Sequence, residues 1–514
     1  MSPSTVAISA FLLLIFVYFL SSIVFRSNNH CKDARKRPPG PLALPIIGNI
    51  HLLGTLPHRK LQSLANKYGP IMSLWLGQVQ AIVVSSPEAA ELFLKTHDPI
   101  FASRPQSQAT DYIFYGSQGM AFSEYGSYWR NMKKLCALHL FSSSKQELFG
   151  PLRREEIRMV VRSIGDAAIV GEVVNVSEKV NALLEDIVYK MILGRNRDDQ
   201  FDLKALISKA LRLGGAFNLA DFVPILAPFD LQGITKQLKE TSEALDEVLE
   251  KILKEHEQAF NETKGEQKND DFIDILLSVM HKPLDNNDDE QNQVITRHNI
   301  KGSALEIIFA SFENTALTID WAFCELLRDS RVMKNLQDEL ETVVGMDRIV
   351  EETDISKLNY LDMVVKEILR LYPVGVFIPR KSTKDIMVDG YYIQKNSRII
   401  VNNWAIGRNV KAWTDNANVF YPERFLNSDV DLQGNHFQLI PFGSGRRKCP
   451  GIQVGLTIAK MVIAQLVHCF NWELPYGMKP CDMDMTETFG FSMSRAKQLF
   501  AVPTHRILPK VYNE

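Results

Sequence analysis

The residues best suited to chemistry lie in one short stretch, PFGSGRRKCPG at 441–451. It sets a single cysteine, Cys449, behind Arg446, Arg447 and Lys448 and among Gly443, Gly445 and Gly451. Pro450 follows at once, and IQVGLTIAKMVIAQLVHCF reads as helix. Proline is favoured at the first helical position, so the spacing predicts Cys449 at or beside a helix N-terminus. Free N–H groups, the positive end of the helix dipole and the basic neighbours all favour the thiolate. A thiolate is a nucleophile or a metal ligand. The glycines let the backbone approach something flat and large, and arginine suits carboxylates. Together these features point to haem with cysteine as the axial ligand. The competing reading is a buried structural cysteine in a basic loop.

The elements that must hold this turn are mostly helical. Long helical patterns dominate from 143 to 372. DLQGITKQLKETSEALDEVLEKILKEHEQAF is amphipathic, whereas IKGSALEIIFASFENTALTIDWAFCELLRDS is apolar nearly all round and free of proline, which places it in the core. KLNYLDMVVKEILRLYP is a further helix, stopped near Pro373. HRKLQSLANKYG predicts a helix ending at Gly69, and IMSLWLG and AIVVSS a strand pair. Short strands return from 374 to 402. The fold class expected is mainly α with a small β part.

The first 25 residues carry no charge, and the run from Val6 to Phe25 has the ~20 apolar residues that a bilayer-crossing helix needs. Arg26, Lys32, Arg35, Lys36 and Arg37 then stand against one acid, Asp33, which predicts a cytosolic body. RPPGPLALPIIGNI reads as a stiff hinge. The expected organisation is a membrane anchor at 1–25, a basic segment and Pro-rich hinge at 26–50, and a catalytic domain at 51–514. A net charge of −2 gives no reason to expect nucleic acid. The six cysteines are scattered without a CxxC pair, which argues against a disulfide framework or a zinc site.

The cysteine stretch fits FxxGxRxCxG without a gap, through Phe442, Gly445, Arg447, Cys449 and Gly451. In this the chain resembles the cytochrome P-450 family of haem-thiolate monooxygenases. The resemblance implies that Cys449 is the iron ligand of haem b, that Arg447 meets a haem propionate and that Phe442 packs near the sulfur. KEILR supplies Glu367 and Arg370, and YPERF supplies Arg424. By the family pattern these three form a buried structural triad. YGSYWRNMKKLC is similar to the family's WxxxR helix, with Trp129 matching and Lys133 in the arginine's place. Arg380 of IPR is a further expected propionate contact. FASRP, YWR, ERF and CPG resemble plant microsomal members of the large specialised-metabolism clan.

One departure falls in the long helix. The family's (A/G)Gx(D/E)T pattern maps onto Ala310, Ser311, Phe312, Glu313 and Asn314, followed by Thr315. The acid is present, but asparagine stands where the alcohol should be. The acid–alcohol pair serves proton delivery for splitting the O–O bond, and an amide relays a proton less readily than a hydroxyl. Three readings stay open. Asn314 holds an equivalent water, Thr315 supplies the hydroxyl through local widening of the helix, or the chemistry depends less on protonation.

The resemblance implies a pocket lined by 104–122, 209–222, 308–313, 374–378 and 491–494, with Phe309, Phe312, Val376, Phe377 and Phe491 making it apolar. Such a pocket suits a hydrophobic small molecule. The function implied is an NADPH- and O2-dependent monooxygenase, anchored in the endoplasmic reticulum by a single span and acting on a terpenoid or small aromatic. Its partners would be membrane lipid and an NADPH-dependent cytochrome P-450 reductase, docked in part through Arg446 and Lys448. The alternatives are a haem-thiolate isomerase, dehydratase or oxidative coupling enzyme, or a catalytically silent haem-binding protein.

Overall fold

The computed structural model describes residues 36–196, 202–262, 271–281 and 295–513. The anchor expected at 1–25, and the basic segment as far as residue 35, lie outside these residues. From Pro38 onward the Pro-rich stretch is no free hinge. Ser73 donates its N–H to Pro39 O at 2.8 Å, and a Cβ at Gly40 would sit 1.9 Å from Ser73 O. The segment is therefore laid against the first strand.

Helix α1 (Pro57–Tyr68) has proline in its first turn and ends at Gly69, whose φ of +106° an L side chain would resist. Strands β1 (Ile71–Leu76) and β2 (Val79–Val84) form an antiparallel hairpin, Ile71 opposite Val84. The chain then builds the helical body. Its main members are α2 (Ser127–His139), α3 (Gly150–Val170), α4 (Val176–Leu193), α5 (Leu203–Gly215), α6 (Ile234–Glu262), α7 (Arg297–Arg328), α8 (Ser330–Val344) and α9 (Asn359–Leu371). Strands β3 (Phe377–Lys381) and β4 (Arg398–Asn402) return to the first hairpin, giving the order β1-β2-β4-β3 with β2 and β4 parallel. Helix α10 (Ile452–Cys469) follows the cysteine turn.

The core helix is α7. A capping box between Thr296 and Asn299 starts it. Leu305, Ile308, Ile319, Trp321 and Phe323 are buried around its circumference, as expected of a helix apolar on every side. It packs against α4, α9 and α10. Among the described residues one helix, α10, is long and apolar enough to cross a membrane, and it is largely buried inside the protein.

Candidate functional site

Helix α10 begins at Ile452 with Gly451 as its N-cap, so Pro450 lies just outside it rather than at its first position. The turn is shaped by hydrogen bonds of its own. Cys449 N–H donates to Phe442 O at 2.9 Å, and Ser444 Oγ to Gly434 O at 2.6 Å. Gly445 has a φ of +71°, and a Cβ there would lie 2.3 Å from Leu94 O, so no other residue fits without moving that backbone. Burial pushes the Cys449 thiol up, opposed by the Gly451 N–H and by Lys448. The two arginines are anchored by other segments. Arg446 pairs with Asp98 at 2.7 Å. Arg447 donates Nε to Ala102 O at 2.7 Å and Nη1 to Met120 O at 3.1 Å, with Nη2 on Ser123 O.

Cys449, Phe442 and Gly443 lie on one wall of a cavity of about 480 Å³. One face of α7 also lines it, through Ser303, Glu306, Ile307, Ala310, Ser311, Asn314, Thr315 and Thr318. Residues three, four and seven apart share a helix face. That rule turns Phe309 and Phe312 out of the cavity, contrary to the sequence expectation. Phe309 is instead stacked edge-on against Phe114, and both phenylalanines are buried. Val376 is also core, clustered with Trp404 and Met493. Phe377 and Phe491 do line the cavity, joined by Phe122, whereas nothing from 209–222 reaches it.

The basic side chains gather at one end. Trp129 carries Lys133 over its face at 5.1 Å and Arg447 at 4.4 Å. Lys133 Nζ donates to Arg446 O at 2.7 Å. Arg380 is fully buried, with Nη2 on Ser444 O at 3.3 Å and Nε without a hydrogen-bond partner among the described residues. Arg104, the first residue of the expected 104–122 segment, lines the cavity with Trp129, Lys133 and Arg447, whereas Arg380 lies behind that lining. Burial lowers Arg104 to about 10. Burial, then Arg104, lowers Arg447 to about 9. Burial, then Arg104 and Arg447, hold Arg380 well down. Three crowded arginines with few acids among them form a site short of negative charge. A flat group carrying two carboxylates, with a metal for Cys449, fits that deficit, and haem is such a group.

The expected brace is assembled away from the cavity. Glu367 accepts Arg370 Nε at 2.7 Å and Arg424 Nε at 2.9 Å, and both Glu367 and Arg370 are fully buried. Arg370 Nη1 also donates to Ala417 O at 2.6 Å. On α7, Asn314 Nδ2 donates to Ala310 O at 3.0 Å. Thr315 Oγ1 donates to Ser311 O at 2.8 Å. The helix runs as α-helix through this stretch, and Thr315 lines the cavity without local widening. Glu313 lies off the cavity wall and is raised by burial, opposed by a hydrogen bond from Ser492.

A second acid, Glu306, was missed. It sits among apolar residues two turns before Glu313, outside the (A/G)Gx(D/E)T pattern that singled Glu313 out. Its Oε2 accepts Ala121 N–H at 2.6 Å and its Oε1 accepts Phe122 N–H at 3.2 Å. Burial raises it to about 7 against those bonds.

The Cytochrome P450 family model matches residues 38–501. The chain is 52% identical to cytochrome P450 CYP736A12 of Panax ginseng, over 93% of this chain and 95% of that one. It is 40% identical to cytochrome P450 84A1 of Arabidopsis thaliana, over 92% of each, and 37% identical to cytochrome P450 71D8 of Glycine max, over 98% of each. A zebra fish cytochrome P450 solved with abiraterone matches with a TM-score of 0.70 and 25% identity, over 88% of this chain and all of that one. The chain belongs to the cytochrome P450 family. It is a haem-dependent oxidoreductase of monooxygenase type, with cysteine thiolate as the iron ligand.

Proposed function

We propose that this chain oxidises a hydrophobic small molecule of plant specialised metabolism, a terpenoid or small aromatic, using NADPH and O2 through a membrane reductase. The observation that carries the reading is a single cavity with Cys449 on one wall and apolar side chains, Phe122, Phe377, Phe491 and Ile307 among them, on the others. When bound, haem with a thiolate ligand supplies the transfer of one oxygen atom from O2.

The chain's own residues do the rest. Cys449 holds the iron, with the Gly451 N–H and Lys448 easing negative charge on sulfur. Arg104, Trp129, Lys133, Arg380 and Arg447 hold the carboxylates, and Phe442 and Gly445 shape the turn. The phenylalanines exclude water and orient an apolar substrate. Glu313, Asn314 and Thr315 stand at the proton-delivery end. Glu367, Arg370 and Arg424 brace α9 against 417–424. The uncharged run at 1–25 supplies a single-pass anchor in the endoplasmic reticulum, with the body on the cytosolic side. Of the two basic groups offered for docking the reductase, Arg446 is the more exposed although it pairs with Asp98, and Lys448 Nζ is held by Gln433.

The test is turnover in microsomes with reductase, NADPH and heavy-isotope dioxygen, offering a panel of terpenoids and small aromatics. A product heavier by one labelled oxygen is expected. Asn314 in the alcohol's place motivates the second reading, an isomerase, dehydratase or oxidative coupler. Consumption of substrate with no label in the product would favour it.

A further inference from the structure

On the monooxygenase reading, protons must reach the cavity, yet the acid of the expected pair does not line it. What connects the two is a residue from the far end of the chain. Ser492 is buried and lines the cavity. Its Oγ lies 2.9 Å from Glu313 Oε2 and 2.8 Å from Asn314 Oδ1. We propose that Ser492 is the proton-relay residue of this enzyme, carrying the hydroxyl that position 314 lacks.

Counting protons supports the assignment. Ala310 O can only accept, so the Asn314 amide turns its N–H toward it and its oxygen toward Ser492. The serine hydroxyl has one proton for two neighbouring oxygens. With Glu313 ionised, that proton serves Glu313, and Asn314 Oδ1 faces a lone pair at 2.8 Å. With Glu313 protonated, Glu313 donates to Ser492, Ser492 donates to Asn314, and every group is satisfied. The geometry therefore favours a proton on Glu313. Burial of its carboxyl works in the same direction.

Competing hydroxyls are committed or unconnected. Thr315 bonds Ser311 O, and Thr318 bonds Asn314 O, both at 2.8 Å. Ser311 lines the cavity but makes no hydrogen bond to either Glu313 or Asn314. The turn bearing Ser492 is held firmly. Met493 donates its N–H to Val374 O at 2.9 Å and accepts Trp321 Nε1 at 3.4 Å. Gly215 is packed so close that a Cβ there would lie 2.2 Å from Phe491 N.

In the step itself the Glu313 O–H bond breaks as a new O–H bond forms on Ser492 Oγ. The serine's own proton swings from Asn314 to an oxygen acceptor in the cavity, its O–H bond breaking as the acceptor's forms. Ser492 ends neutral and Glu313 ends as carboxylate, which recovers a proton from water at its partly exposed side. The electrons are those that NADPH supplies through the reductase.

Two readouts test this. With a substrate found in the labelled-oxygen screen, S492A should lower product formed per NADPH by about tenfold or more, with peroxide rising in its place. S492T should keep the parent's coupling, and S492A/N314T should regain it, because the hydroxyl returns on the other side of the same gap. Should S492A fail to take up haem, S492C gives the same comparison with a near-isosteric poor relay. Independently, infrared difference spectra at neutral pH should show a protonated carboxyl band that E313Q removes and S492A shifts. Unchanged coupling in S492A, uncoupling by S311A instead, or no band lost in E313Q would each overturn the proposal. Loss of the thiolate-type spectrum of the reduced, CO-bound parent, or product without label, would count against the monooxygenase reading instead. The infrared arm would then still decide whether Glu313 carries its proton against Ser492.

Discussion

At the scale of single residues, the stakes are set by burial. Glu367 is fully buried against two arginines, so its charge cannot be removed without leaving theirs uncompensated. Breaking a buried pair in this way costs about 3–5 kcal/mol. Glu367→Gln should therefore lower the urea midpoint and the yield of haem-loaded protein while leaving the cavity residues chemically intact. An unchanged midpoint would mean that the carbonyls on Arg370 suffice. The pairing itself was legible in the sequence, because i, i+3 spacing on a helix brings Glu367 and Arg370 together. The same reasoning could not tell that Arg446 and Arg447 turn away from Cys449, since the carbonyls and carboxylate that capture them come from residues 98–123.

At the scale of elements, Glu306 joins α7 to the segment 119–122. The fit leaves no room. A Cβ at Gly119 would lie 2.1 Å from Glu306 Oε2. Glu306→Gln leaves a single acceptor oxygen and turns an N–H2 toward a backbone donor. Gly119→Ala keeps the acid but displaces it. Both should lower the protection of the Ala121 and Phe122 amides in hydrogen exchange. The parent should show a pH effect of definite sign. Glu306 is raised from 4.5 to about 7, so the closed structure holds its proton more tightly than an opened one does, and ionisation favours opening. Protection, corrected for intrinsic exchange, should fall as pH rises from about 4.5 to 7 in the parent and stay flat in E306Q. The neighbouring groups do not titrate in that window. Arg447 and Arg104 are lowered only to about 9 and 10, Cys136 is raised to about 12, and Tyr128 is raised as well.

At the scale of the whole molecule, distant segments are tied by an ionic cluster centred on the buried Glu487 carboxylate. Glu487 accepts Arg59 Nε at 2.7 Å and His58 Nε2 lies 3.0 Å from it, across more than four hundred residues of chain. Burial alone would raise Glu487, but the bonds from His58 and Arg59 outweigh it and lower the carboxyl from 4.5 to about 2. A carboxyl depressed on folding stabilises above its unfolded value and loses that contribution as pH falls through its folded one. The thermal midpoint should therefore drop as pH is lowered from about 4.5 toward 2, and E487Q should flatten that part of the profile.

Local chemistry, periodicity and the motif resemblance together made the class of the protein legible in the sequence: a cysteine in a basic, glycine-rich turn, an apolar helix through the core, an ExxR pair and a strand pair. These follow from contacts within a few residues, where spacing alone dictates which side chains meet. Only the tertiary structure decided which side chains face the cavity. Phe309 and Phe312 were chosen for their chemistry and lost to helix phase, while Glu306 and Ser492 gained their roles from partners 184 and 179 residues away. A contact of that separation depends on how helices and turns pack, and packing is a property of the assembled core.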